Sequence, residues 1–154
     1  MTLVPATYAS WMGLALEQAA LTRASCDVPV GAVVVDASGV VIGAGFNERE
    51  KTHDPTAHAE VLALRAAART TGDWHLVGCT LVVTLEPCPM CAGAILAARI
   101  PRVVFGAWDE KAGAAGSVYD ILRDRRLPHR AEVFAGVLAA ECAALLDDFF
   151  ASRR

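Results

Sequence analysis

The stretch TLEPCPMCAG, Thr84 to Gly93, joins two kinds of chain. Before it runs an apolar segment, Leu76 to Leu85, rich in Leu, Val and Thr, which reads as a buried strand. After it the chain is rich in Ala and Leu, reads as a helix from Cys88 to Arg99, and leads into a second buried strand, Val103 to Ala107. Strand, helix, strand in one sheet requires a parallel crossover, right-handed by the usual rule. The junction itself places Cys88 and Cys91 three positions apart at the start of that helix, immediately behind Pro87. They share one face, and the free amides and dipole of a helix start favour thiolates there. Such a pair serves a redox dithiol and half of a metal site equally well.

Working outward, Tyr8 to Ala24 predicts a first helix, with Trp11, Ala15 and Ala19 at helical spacing. Val30 to Val35 and Val40 to Phe46, joined by the turn Asp36-Ala-Ser-Gly39, predict a hairpin. Asp54-Pro55 offers an N-cap and a first-turn proline for a helix over Ala57 to Thr70, which Gly72 ends. Beyond the second buried strand, a Gly/Ala/Ser loop from Gly113 to Ser117 leads to a short helix over Val118 to Arg123 and a strand over Glu132 to Phe134. Leu138, Cys142, Leu145, Leu146 and Phe149 then mark one face of a C-terminal helix. The expectation is an α/β fold in which a sheet is covered by helices on both faces, an α/β/α layering. No repeat, low-complexity tract or linker interrupts the chain, so residues 1–154 are expected to form a single domain.

A chain of 154 residues, 55% hydrophobic and 20% charged, has the substance for a sizeable core. Its longest apolar runs fall far short of a membrane span, and the N-terminus lacks the basic segment and apolar core of an export signal, so a cytoplasmic protein is expected. An odd count of five cysteines then argues against a disulfide framework and toward metal or redox chemistry for a close pair. The net charge of −3 by itself disfavours phosphate-rich partners. It conceals a local excess: residues 99–130 hold seven Lys or Arg against four acidic residues, concentrated at Arg123, Arg125, Arg126 and Arg130.

The sequence HDPTAHAEV, His53 to Val61, decides between redox and metal. His58 stands at the beginning of the preceding helix, so two successive helices deliver ligand-type side chains from their N-termini. Together, His58-Ala59-Glu60 and Pro87-Cys88-Pro89-Met90-Cys91 complete H-x-E…P-C-x-x-C, the signature of zinc-dependent nucleobase deaminases. Zinc suits one histidine and two cysteines, and three protein ligands leave a fourth position for water. Glu60, two residues from His58, need not bind the metal. In the opening turn it can reach the activated water and act as general acid and base.

At this point the chain resembles the zinc-dependent nucleobase deaminases, and more closely the bacterial tRNA adenosine deaminases, from about Trp11 to Phe150. The resemblance is carried by VPVGAVVVD (Val28–Asp36), HDPTAHAE (His53–Glu60), TLEPCPMCAGAI (Thr84–Ile95), RVVFGAWDEKAGAAGS (Arg102–Ser117) and ECAALLDDFF (Glu141–Phe150). It implies a cytidine-deaminase-like α/β/α fold with a five-stranded mixed sheet, a homodimer with one zinc ion per subunit, and hydrolysis of adenosine to inosine at the wobble position of a tRNA anticodon loop. It also implies His58, Cys88 and Cys91 as zinc ligands and Glu60 as proton shuttle. Asn47, Pro29 and Val30 match positions at the substrate base, and Asp109 and Lys111 match positions near the anticodon loop. Trp108, Pro128 and an ending with only Arg153 and Arg154 depart from the resembling sequences.

Two rival functions remain. One is a deaminase of a free base, cytosine or guanine. The other is a non-catalytic zinc module: either a structural site, which needs a fourth protein ligand from His53, His75 or Cys79, or an inactive partner subunit of a heteromeric deaminase, which would be expected to lack Glu60.

Overall fold

The computed structural model describes residues 4–153, so Arg154 lies outside the described residues. Helix α1 spans Ala6–Ala20, strands β1 and β2 span Gly31–Val35 and Val41–Phe46, and helices α2 and α3 span Arg49–Thr52 and Ala59–Thr71. Strand β3 (Thr80–Leu85), helix α4 (Pro89–Ala97) and strand β4 (Arg102–Ala107) form the crossover, and β5 (Glu132–Phe134) and α5 (Ala139–Ala151) complete the order.

The sheet is five-stranded and mixed, in the order β2-β1-β3-β4-β5. β1 runs antiparallel to both β2 and β3, while β3, β4 and β5 are mutually parallel. Alternation divides each central strand between two cores. Ala32 and Val34 of β1, with Leu81, Val83, Val103 and Phe105, pack beneath α3 and α4. Val33 and Val35, with Val82 and Val104, pack against Tyr8, Met12 and Ala15 of α1 and Cys142 of α5. Strands buried on both faces explain why the sequence shows continuous apolar runs there.

Three predicted boundaries move and one predicted helix does not form, each for a local reason. The first helix gives way after Ala20 to a tighter turn over Leu21–Ala24, where the Thr22 hydroxyl bonds the Ala19 carbonyl. Asp54 does not cap the long helix. Its carboxylate takes the N–H and hydroxyl of Thr56, both at 2.8 Å, closing a side-chain turn that competes with helix. Helix α3 therefore starts at Ala59, and the four-residue α2 precedes the turn. Leu76 to Cys79 is a turn around Gly78, at φ 79°, and the strand begins at Thr80. No helix forms over Val118–Arg123. The N–H groups of Val118 and Tyr119 both go to the Gly113 carbonyl, and Ala115 pairs with Asp120 in an isolated antiparallel bridge. That folded-back loop buries Leu122 in the core.

Glycines set how closely α3 approaches the sheet. A Cβ on Gly43 would lie 2.5 Å from the Ala63 carbonyl, and one on Gly45 would lie 2.6 Å from that of Ala59, the first residue of α3. Gly45→Ala is therefore expected to destabilise the fold by about 1–3 kcal/mol through overpacking. Gly13→Ala, in α1 with open space around it, should gain up to about 1 kcal/mol of helix propensity. Urea unfolding of both variants measures the contrast.

Candidate metal centre and active site

Both helices that serve the site begin next to a ligand-type residue. His58 is extended (φ −76°, ψ 151°) in front of Ala59, and Cys88 is extended (φ −75°, ψ 173°) in front of Pro89. Pro89 has no N–H to leave unsatisfied and its φ is already helical, which fixes where α4 starts. Cys91 lies in the first turn of α4 and Glu60 in the first turn of α3, both buried. The two helices pack against each other on one face of the sheet, so their N-termini converge.

His58 Nδ1 lies 3.7 Å from Cys88 Sγ and 3.4 Å from Cys91 Sγ, and the three donor atoms fall within 4.8 Å of one another. Zn–S and Zn–N bonds of about 2.3 and 2.0–2.1 Å arranged tetrahedrally require donor separations of about 3.5–3.8 Å. The chemistry and spacing of the donors thus fit zinc. Among the described residues no further His, Cys, Asp or Glu joins the group, which leaves one tetrahedral position open. His53, His75 and Cys79, the alternatives for a closed structural site, lie elsewhere: His75 bonds Asp73 at 3.0 Å, and Cys79 Sγ points to the Val77 carbonyl.

Without metal the thiols hold their protons unequally. Cys88 is drawn down to about 4 by its hydrogen bond with Cys91, aided by His58, whereas the same bond and burial push Cys91 up. Glu60 is 4% exposed, and burial raises its carboxyl to about 6. Its Oε2 accepts from Cys91 Sγ at 3.3 Å. In front of these groups opens a cavity of about 180 Å³, lined among others by Val30, Asn47, His58, Glu60, Leu85 and Asp109. That is smaller than the roughly 300–1,000 Å³ typical of drug-sized ligand pockets and suits a single planar group between apolar walls.

Residues 5–107 match the family model for the cytidine and deoxycytidylate deaminase zinc-binding region. The chain belongs to this family of zinc-binding deaminases. It is 50% identical over 143 residues to the tRNA-specific adenosine deaminase of Haemophilus influenzae, a match covering 93% of this chain and 83% of that protein. Among solved structures it is similar to a tRNA:A34 deaminase studied for A-to-I editing at the wobble position of transfer RNA. There the TM-score is 0.85 at 40% identity, over 89% of this chain and 99% of the other. It is also similar to the guanine deaminase of Nitrosomonas europaea, with a TM-score of 0.77 at 27% identity over 98% of this chain and 87% of that one. The sheet order and layering are those of the cytidine-deaminase fold.

Within this deaminase fold the sequence-derived residues are placed unequally. His58, Cys88, Cys91 and Glu60 meet at one point, and Asn47, Val30 and Asp109 line the cavity in front of them. Asn47 is buried, donates from Nδ2 to the Val28 carbonyl at 3.2 Å and accepts the Arg49 N–H at 3.2 Å, which leaves one N–H and one lone pair available. Pro29 is buried but lines a neighbouring groove between the end of α1 and α5. The Lys111 side chain is exposed and outside the cavity lining, and its N–H bonds the Asp109 carboxylate at 3.0 Å. In the basic segment, Arg123 pairs with Asp120 at 3.0 Å and Arg126 with Asp124 at 2.7 Å. Sequence reasoning passed over Arg49 at the cavity rim and Glu86 in its wall. A carboxylate inside the apolar run Leu81-Val-Val-Thr-Leu-Glu86-Pro87 was the available signal for the second.

Metal uptake must deprotonate Cys91. Zinc affinity is therefore expected to weaken as pH falls, with protons released on binding, measurable by calorimetry in buffers of different ionisation enthalpy. Cys88→Ala should lose zinc and Glu60→Gln should keep it, as read by elemental analysis of the purified variants.

Proposed function

We propose that this deaminase converts adenosine to inosine at the wobble position of a tRNA anticodon, with His58, Cys88 and Cys91 as zinc ligands and Glu60 as proton shuttle. The observation that carries the reading is the convergence of those four side chains on a cavity the size of one base. It occurs in a chain alike over 93% of its length to a tRNA-specific adenosine deaminase. When bound, zinc supplies the Lewis acidity that makes water a competent nucleophile near neutral pH.

The protein's own groups do the rest. A base enclosed in the cavity has been unstacked from its loop, and the apolar walls of Val30 and Leu85 replace the neighbours it lost. Asn47 supplies hydrogen bonds that orient the base edge. Glu60 accepts a proton from water, delivers it to a ring nitrogen and later passes one to the amino group leaving C6, so that water and adenosine become inosine and ammonia. A carboxyl near 6 is suited to both halves of that exchange at neutral pH. Arg49 at the rim, the exposed Lys111 and the basic residues Arg125 and Arg130 offer charge to phosphates, which position a nucleic acid without reading it. The reading takes residues 1–154 as one domain acting in the cytoplasm; no described helix is long and apolar enough to cross a membrane. It also takes the chain as a homodimer with one zinc ion per subunit, and an apolar groove along α4, lined by Leu96, Ile121 and Leu127, offers a surface for a second copy.

A second reading, deamination of a free purine such as guanine, is favoured by the similarity to the Nitrosomonas europaea guanine deaminase. Zinc-loaded protein given an anticodon stem-loop with a wobble adenosine should form inosine at that position only. Ammonia from free guanine with an untouched stem-loop would select the second reading. Glu60→Ala should lower kcat by about 10² to 10⁴. Because a protonated Glu60 cannot accept a proton, kcat should decline at acid pH. Sedimentation equilibrium should give twice the chain mass.

A further inference from the structure

Glu86 is 2% exposed and is neither a metal ligand nor the proton shuttle, yet its carboxylate is the most heavily bonded in the site. Oε1 accepts the Asp109 N–H at 3.0 Å. Oε2 accepts the N–H groups of Ala115 at 2.9 Å and Ser117 at 3.1 Å. The Ser117 hydroxyl lies 2.9 Å from Oε2 and 2.7 Å from the Asp109 carbonyl, so its single hydrogen serves one of the two. Backbone bonds repeat the connection, from Glu86 N–H to the Ala107 carbonyl at 2.8 Å and from Ala114 N–H to the Pro87 carbonyl at 2.7 Å. Gly113 makes the approach possible, since a Cβ there would collide with the Glu86 carboxylate and the Ser117 hydroxyl.

Part of the loop holds itself: the Asp109 carboxylate and carbonyl accept the N–H groups of Lys111, Ala112 and Gly113, and Gly116 N–H goes to the Tyr119 carbonyl. The N–H groups of Asp109, Ala115 and Ser117 instead find their acceptor in Glu86, outside the loop. A carboxylate accepts several donors and offers none of its own, which no amide or hydroxyl can match. We propose that Glu86 is a positioning residue for substrate recognition: it gathers residues 109–117 into one loop and fixes Asp109 in the cavity wall. The segment that presents Cys88 and Cys91 thereby also sets the wall that meets the nucleotide. The inference rests on the proposed function, because it concerns how Asp109 is offered to RNA.

Glu86→Gln tests it. The glutamine oxygen would keep the Oε2 position, where Ala115 and Ser117 converge, leaving its NH₂ against the Asp109 N–H, a donor facing a donor. Zinc-loaded E86Q should show amide exchange at Asp109 faster by about tenfold or more, with Val82 in β3 unchanged. On the stem-loop, KM should rise about tenfold while kcat stays within about threefold and zinc content equals that of the parent, the mark of lost uniform binding. Unchanged exchange at Asp109 would overturn the proposal whatever the substrate. Loss of zinc and kcat with KM unaltered would overturn it too, by assigning Glu86 to the metal centre. If the parent protein leaves the stem-loop untouched, the RNA reading fails separately, while the exchange measurement still decides whether the carboxylate holds the loop. Should E86Q not fold, Ser117→Ala removes one contact from the exposed side. It should raise KM about two- to threefold at unchanged zinc content, and no change in KM or in exchange at Asp109 would count against the proposal.

Discussion

Two helix N-termini have to meet within bonding distance of one ion, and the sheet is arranged around that requirement. His58 and Cys88 stand just outside their helices, where the chain is extended and the first turn's amides are free. A metal site assembled there draws one donor from the turn between α2 and α3 and two from the junction of β3 with α4, so the spacing of the strands and the depth of the helices fix its size. Gly43 and Gly45 let α3 settle onto β2 until backbone meets backbone, which brings His58 down to the level of the α4 start. The parallel pairing of β3 with β4 on either side of α4 holds the other half.

That dependence explains which parts were legible in the sequence. The crossover, both central apolar strands and the four residues of the centre could be read because each is fixed locally, by composition, by proline at a helix start or by ligand spacing. The short helices and turns could not. Val118 to Arg123 has helical composition, but Gly113 and Gly116 fold the segment back so that its amides find the Gly113 carbonyl, a partner that no periodicity reveals. Asp54 has cap chemistry, but the N–H and hydroxyl of Thr56 take its carboxylate into a turn. Pro29 falls in a segment that reaches the site, yet Val30 lines the cavity while Pro29, just before β1, lines another groove.

Two buried carboxylates stand within this small volume, and their surroundings give them opposite uses. Glu60 has a single thiol as its side-chain hydrogen-bond partner, and burial lifts its carboxyl to about 6. Glu86 is surrounded by N–H groups, and its lone pairs are committed to the loop. A group saturated with donors has no capacity to carry a proton to a substrate. A group left nearly bare cannot hold a loop in place. Role follows from the count of donors around each, although the two residues are identical in the sequence.

The same logic separates reaction from substrate. As proposed, the zinc ligands and proton shuttle would require only that a ring carbon bearing an amino group reach the open metal position, a demand that adenine, cytosine and guanine all meet. Choice among them has to come from the walls: apolar faces at Val30 and Leu85, the remaining hydrogen-bonding capacity of Asn47, and the loop around Asp109. These walls come from segments far apart in the chain, the loops that follow α1, β2 and β4 and the end of β3, whereas the centre is built by two helix starts. A wall can therefore change its substrate by altering a loop without disturbing the metal, provided the anchor of that loop survives. Shared layering therefore leaves the substrate open: what the fold has to keep is the meeting point of two helices, and the shape of the cleft in front of it is free to differ.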